Sequence, residues 1–108
     1  MKVLVIDDSP FKTADIIRAL KDAGVGCVES VREQATAWSK ICDAIEQNKS
    51  YDLIVTDMHY PLEKGVEADW QAGFKLIAKM KEGEINIPLV ICSSHNFQCE
   101  DIFGTPKY

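Results

Sequence analysis

A chain of 108 residues with 46% hydrophobic and 27% charged residues can bury one hydrophobic core and is too short for two domains. Its net charge of −5 and pI near 4.9 argue against a direct nucleic-acid or anionic-membrane surface, both of which favour Lys/Arg clusters. The apolar run Val3 to Ile6 is too short for a signal peptide and no stretch reaches transmembrane length, so a cytoplasmic protein without membrane contact is expected.

Lys2–Ile6 is a β-branched apolar run of strand length. Asp8, Ser9 and Pro10 follow, and Ser-Pro is a helix opening, with a hydroxyl to cap free N–H groups and a proline suited to the first turn. Residues 11–23 carry Ile16, Ile17 and Leu20 at helical spacing, with Gly24 in the terminating position. Residues 25–31 read as a second strand. Residues 33–49 read as a second helix with Trp38, Ile41, Cys42 and Ile45 on one face.

The third strand, residues 51–56, is apolar on both faces, as a central parallel strand should be. Residues 73–81 form a third helix with Phe74, Ile77 and Met80 at helical spacing. Pro88 opens a fourth strand over residues 89–92, and a fifth is expected near residues 102–105. Cys27, Cys42, Cys92 and Cys99 contain no CxxC pair and read as reduced, buried small side chains.

Strict alternation of strand and helix predicts a doubly wound parallel α/β sheet with helices on both faces. Such sheets bind ligands beyond the carboxyl ends of their strands. Asp7 and Asp8 follow the first strand, Asp57 ends the third, and Ser93 ends the fourth. Taken singly, a DD pair after a strand is as readily a helix cap, and Asp57 as readily opens a loop. Three carboxylates at one sheet edge are different. They repel unless a cation sits among them, and oxygen ligands in an open crevice suit Mg²⁺. One carboxylate could then attack a phosphoryl donor, with a hydroxyl such as Ser93 helping to neutralise charge. His59 and His95 have no third soft ligand near them in sequence and read as loop residues, not as side-chain metal ligands.

The segments VLVIDD at 3–8, DLIVTDMHYP at 52–61 and IPLVICSS at 87–94 together resemble the response-regulator receiver family. In that family an acid pair closes strand one. A phosphoacceptor Asp closes strand three with a Pro four residues on, and a Ser or Thr closes strand four. The resemblance covers essentially the whole chain and implies a flavodoxin-like five-stranded sheet in the order 2-1-3-4-5. It implies that Asp57 is the phosphoacceptor and that Asp8 is the direct metal ligand. Asp7 would act through water, and the His59 main-chain carbonyl would complete the Mg²⁺ site. Ser93 would move toward the phosphoryl group, which a sensor histidine kinase or phosphotransfer protein would supply. Such a chain is a phosphoacceptor that assists its own phosphorylation, not a turnover enzyme.

Two features depart from the family. Residues 62–72 form a longer loop than usual, acidic through Glu63, Glu67 and Asp69, which reads equally as an element over the site that docks a partner through Trp70 or as a tolerated surface insertion. Near the end, Lys107 is the candidate for the family's strand-five lysine, although Pro106 precedes it, and no sequence remains for a fifth helix. Residues 1–108 thus read as one receiver-like domain or a piece of a longer response regulator. A homodimer, an output domain or a partner protein would cover the bare face. The rival reading is a receiver-like protein-binding module that works without phosphorylation. A Mg²⁺-dependent phosphohydrolase is disfavoured because DDSP lacks the spaced DxD of such enzymes.

Overall fold

A computed structural model describes residues 1–92. The elements are β1 (Lys2–Ile6), α1 (Pro10–Asp22), β2 (Cys27–Val31), α2 (Gln34–Glu46), β3 (Leu53–Thr56), β4 (Tyr60–Pro61), β5 (Ala68–Asp69), α3 (Ala72–Glu82) and β6 (Leu89–Ile91). The main sheet is parallel in the order β2-β1-β3-β6, the expected 2-1-3-4 arrangement. The fifth strand expected near residues 102–105 lies outside the described residues, as do Ser93, His95, Cys99 and Lys107.

Strand side chains alternate between the two faces, and both faces are buried. Leu4, Ile6 and Ile54 point to one side, where Ala37, Ile41 and Ala44 of α2 and Ala72, Leu76 and Met80 of α3 cover them. Val3, Val5, Leu53, Val55 and Val90 point to the other, beneath Ile16 and Leu20 of α1. The central strands are thus apolar over residues 3–6 of β1 and 53–55 of β3, because neither face meets water there.

All three helices among the described residues end in the same device. In α1, Gly24 has φ of 95°, its N–H donates to Lys21, and the Val25 N–H donates back to Leu20. This pattern satisfies two terminal carbonyls with one left-handed residue, as in a Schellman motif. Asn48 (φ 58°) does the same after α2 and Glu84 (φ 56°) after α3. Gly24 is the residue expected there from sequence.

Several local expectations shift. The buried stripe of α2 is Gln34, Ala37, Ile41 and Ala44, while Trp38 is only partly covered and Ile45 is 40% exposed. In α3 the buried line is Ala72, Gly73, Leu76 and Met80, which leaves Phe74 outward at 57% exposure. Of the described cysteines only Cys92 is buried, and Cys27 is exposed.

Residues 62–72 are also more structured than a surface loop. Residues 60–61 pair antiparallel with residues 68–69, Tyr60 against Asp69 and Pro61 against Ala68. Tyr60 is fully buried in the core beneath α2 and α3. Its hydroxyl accepts from Gln34 Nε2 at 3.3 Å, and that amide also donates to the Ala72 carbonyl at 2.7 Å. The Ala35 N–H donates to the Leu62 carbonyl at 2.8 Å, tying the hairpin to the first turn of α2.

Candidate functional site

The parallel ladder runs one residue past the strands and thereby places the acids. Ile6 is in register with Thr56, so Asp7 and Asp57 come next on adjacent strands. The Asp7 N–H donates to Val31, the Asp57 N–H to Ile6, and the Cys92 N–H to Thr56, which holds all these strand ends level. Asp7, Asp8 and Asp57 each offer a carboxylate oxygen, and these atoms all lie within 4.8 Å of one another. The structure therefore brings together the three aspartates that the sequence singled out.

Each acid is held differently. Asp7 is the most buried, its side chain 1% exposed, and its Oδ1 accepts from the Ser9 N–H at 2.9 Å. Ser9 in turn caps α1, its hydroxyl accepting from the Lys12 N–H at 3.3 Å while Pro10 opens the helix. Asp57 is 13% exposed, and its Oδ1 accepts from the Met58 N–H at 2.8 Å. Asp8 is partly exposed, and its carbonyl accepts from Arg32 at 3.2 Å.

The sequence reading missed the cation among them. Lys12 is 5% exposed, and its Nζ lies 2.8 Å from Asp57 Oδ1 and 3.1 Å from Asp7 Oδ2. The approach to Asp57 is a hydrogen bond. The approach to Asp7 is an ion pair off the hydrogen-bonding line, so Asp7 Oδ2 is a buried oxygen with no hydrogen bond among the described residues. The signal was present in the sequence, because Lys12, Ile16 and Leu20 follow one another at four-residue spacing on the inward face of α1. A lysine on a core-facing stripe, at the end nearest an acid edge, needs an anion.

Burial pushes the Asp7 carboxyl above its usual range, with the nearby Asp57 charge adding to the effect. The Ser9 N–H and Lys12 pull the other way without reversing it. For Lys12, burial favours the neutral amine, but the hydrogen bond to Asp57 and the charges of Asp7 and Asp57 more than offset that. The ammonium is held above the ordinary lysine range.

A second polar layer lies under the site. The Thr56 hydroxyl is 2.9 Å from the Asp57 carbonyl oxygen and 3.0 Å from the Tyr60 hydroxyl, joining the acid loop to the Gln34 network. Burial raises the Tyr60 phenol, which stays a neutral hydrogen-bonding group. At the start of α3, the Gly73 N–H donates to the Met58 carbonyl at 3.1 Å. A Cβ at Gly73 would lie 2.9 Å from the Asp57 carbonyl oxygen and 3.3 Å from Met58 Cα, so only glycine allows α3 this close to the Asp57 loop.

His59 lies at the same edge, and its ring stacks on Trp70 with centroids 4.0 Å apart. Trp70 nonetheless remains 77% exposed. Beside it, Asp69 accepts from the Gln71 N–H at 2.8 Å and pairs with Lys75, contacts that hold its carboxyl below the usual range. Phe11, at 85% exposure, stands in the first turn of α1, one residue before Lys12.

The donor set fits a hard divalent cation. All three groups are carboxylates, one supplies a buried oxygen without a hydrogen bond, and the site opens toward solvent at Asp8 and Asp57. Among the described residues, no helix is long and apolar enough to cross a membrane.

No protein-family model matches the chain. An uncharacterized protein, y4jS, of Sinorhizobium fredii (strain NBRC 101917 / NGR234) is 28% identical over 89 residues, which cover 82% of this chain and 21% of that protein. The chain thus spans about a fifth of the length of this curated relative. Among solved structures, the receiver domain of the histidine kinase CKI1 from Arabidopsis thaliana, complexed with Mg²⁺ and BeF₃⁻, matches with a TM-score of 0.64. The match is 23% identical and covers 94% of this chain and 70% of that one. Order of strands, placement of helices and this likeness agree: the chain has the receiver-type α/β fold.

Proposed function

We propose that this chain is a phosphoacceptor receiver in which Asp57 takes a phosphoryl group from a histidine kinase or phosphotransfer protein, with Mg²⁺ bound beside it. The observation that carries this reading is the meeting of Asp7, Asp8 and Asp57 within 4.8 Å at the carboxyl edge of a receiver-type sheet. Asp57 Oδ1 is engaged by the Met58 N–H and Lys12, and among the described residues Oδ2 accepts no hydrogen bond. Oδ2 is therefore the oxygen that attacks phosphorus, forming an O–P bond while the donor's bond to phosphorus breaks and its electron pair leaves with the donor.

Asp7, Asp8 and Asp57, with the His59 carbonyl, would hold the divalent ion, which supplies charge neutralisation for the phosphoryl oxygens when bound. Ser93 and Lys107, outside the described residues, are proposed as the hydroxyl and second cation of the same site. The signal would pass by conformational change to an output domain or a partner protein, in the cytoplasm. The direct test is intact mass after incubation with acetyl phosphate and Mg²⁺. Wild type should gain one phosphoryl group and Asp57→Asn none.

One observation favours a second reading. Lys12 already pairs with both Asp7 and Asp57, so part of the site's negative charge is offset without any metal. A binding module that dispenses with phosphorylation would show that arrangement permanently. A wild-type chain that never gains mass with any donor, while still folding and binding its partner, would establish it.

A further inference from the structure

We propose that Lys12 is the resident counter-ion of the acid site and that a divalent cation enters only by displacing its ammonium group from between Asp7 and Asp57. This rests on the metal-binding part of the reading above and goes beyond it in assigning Lys12 a role as the residue that sets cation affinity.

Few carboxylate oxygens are available to a cation. Asp7 Oδ1 is committed to the Ser9 N–H at 2.9 Å, so Oδ2 is the oxygen Asp7 can offer a metal. That oxygen is the one Lys12 Nζ approaches at 3.1 Å. Asp57 Oδ1, already accepting from the Met58 N–H, is the oxygen Lys12 holds at 2.8 Å. The ammonium thus occupies the space from which a cation shared by Asp7 and Asp57 would have to coordinate. Two positive centres cannot share that space at ligand distances, where repulsion between like charges is strong and weakly screened. One must leave.

Lys12 is able to leave. Its backbone stands in the first turn of α1, beside the exposed Pro10 and Phe11, and its four-carbon stem allows the ammonium to swing out at the rim. Asp8 and Asp57 are partly open to water there, so the displaced group regains its hydration. Metal-free, Lys12 keeps the acids from repelling one another. Metal-bound, the divalent ion does so more strongly. The cost of the exchange lowers the apparent metal affinity below that of the carboxylates alone.

The test is a Mg²⁺ titration of the full chain by calorimetry, with wild type, Lys12→Met and Lys12→Arg. Removing the competing charge should tighten Mg²⁺ binding by about tenfold or more, whereas Lys12→Arg, which keeps the charge, should stay within about threefold of wild type. In wild type, the Lys12 Nζ resonance should be slowed in exchange with water and should lose that protection as Mg²⁺ saturates. Equal or weaker binding by Lys12→Met, or a Lys12 resonance unmoved at saturation, overturns the counter-ion role and leaves Asp57 as phosphoacceptor untouched. Absence of Mg²⁺ binding by every variant overturns the metal site and this role together. If Lys12→Met does not fold, the wild-type resonance decides alone.

Discussion

Asp7 is a carboxylate that folding makes harder to ionise, and that has a measurable consequence. A group whose folded pKa is raised contributes stability fully present below its unfolded value, near 3.8, and lost as pH rises through the folded value. Above that folded value the metal-free protein therefore carries an ionised Asp7 at a cost. Asp7→Asn should raise the melting temperature of the metal-free chain by a few degrees, on the scale of about 1 kcal/mol in a domain this size. The same variant should lose most of the stabilisation that Mg²⁺ gives wild type by mass action. A melting temperature that falls, with the Mg²⁺ response intact, would contradict the placement of Asp7. The three aspartates were legible in the sequence because each ends a strand-like run, and parallel register carries strand ends to one edge. Lys12 was missed as a site residue because a first-turn lysine is ordinarily solvated, although its four-residue spacing to Ile16 and Leu20 marked it as inward-facing.

At the scale of elements, the caps and the hairpin matter most. Ser9 caps α1 through its hydroxyl while its main-chain N–H holds Asp7, so Ser9→Ala should cost about 1 kcal/mol in urea unfolding and, keeping that N–H, leave Mg²⁺ binding nearly unchanged. Glu84 adopts a left-handed backbone that glycine occupies without strain, and Glu84→Gly should stabilise by roughly 1 kcal/mol with the site unchanged. Gly73 is the opposite case. Gly73→Val should cost about 1–3 kcal/mol, because its side chain meets backbone atoms of Asp57 and Met58 that cannot give easily, and phosphorylation should slow with it. The helix existence and order followed from periodicity, and Ser-Pro and Gly24 marked the ends of α1. The hairpin did not, since two strands of two residues each carry no period to detect. Its anchor, Tyr60, was not singled out as core because what buries it comes from α2 and α3, distant in sequence. The face of α2 was misjudged because Trp38 and Ile45 outweigh small residues in a hydrophobic count, while close packing on the sheet selects Ala37 and Ala44.

At the scale of the whole molecule, the parallel sheet, four-stranded among the described residues and with a core on each face, presents its strand ends as a rigid shelf for three acids. The shelf depends on strands buried on both sides, a property visible in the apolar runs of residues 3–6 and 53–55. The central claim is that Asp57 on this shelf is a phosphoacceptor that works with a divalent ion. Intact mass of the full chain after acetyl phosphate treatment, with Mg²⁺ and with a chelator in its place, tests it most directly. One added phosphoryl group is expected on wild type with Mg²⁺, much less with chelator, and none on Asp57→Asn. An unchanged mass for wild type with Mg²⁺ and any phosphodonor, or equal gain by Asp57→Asn, would contradict it.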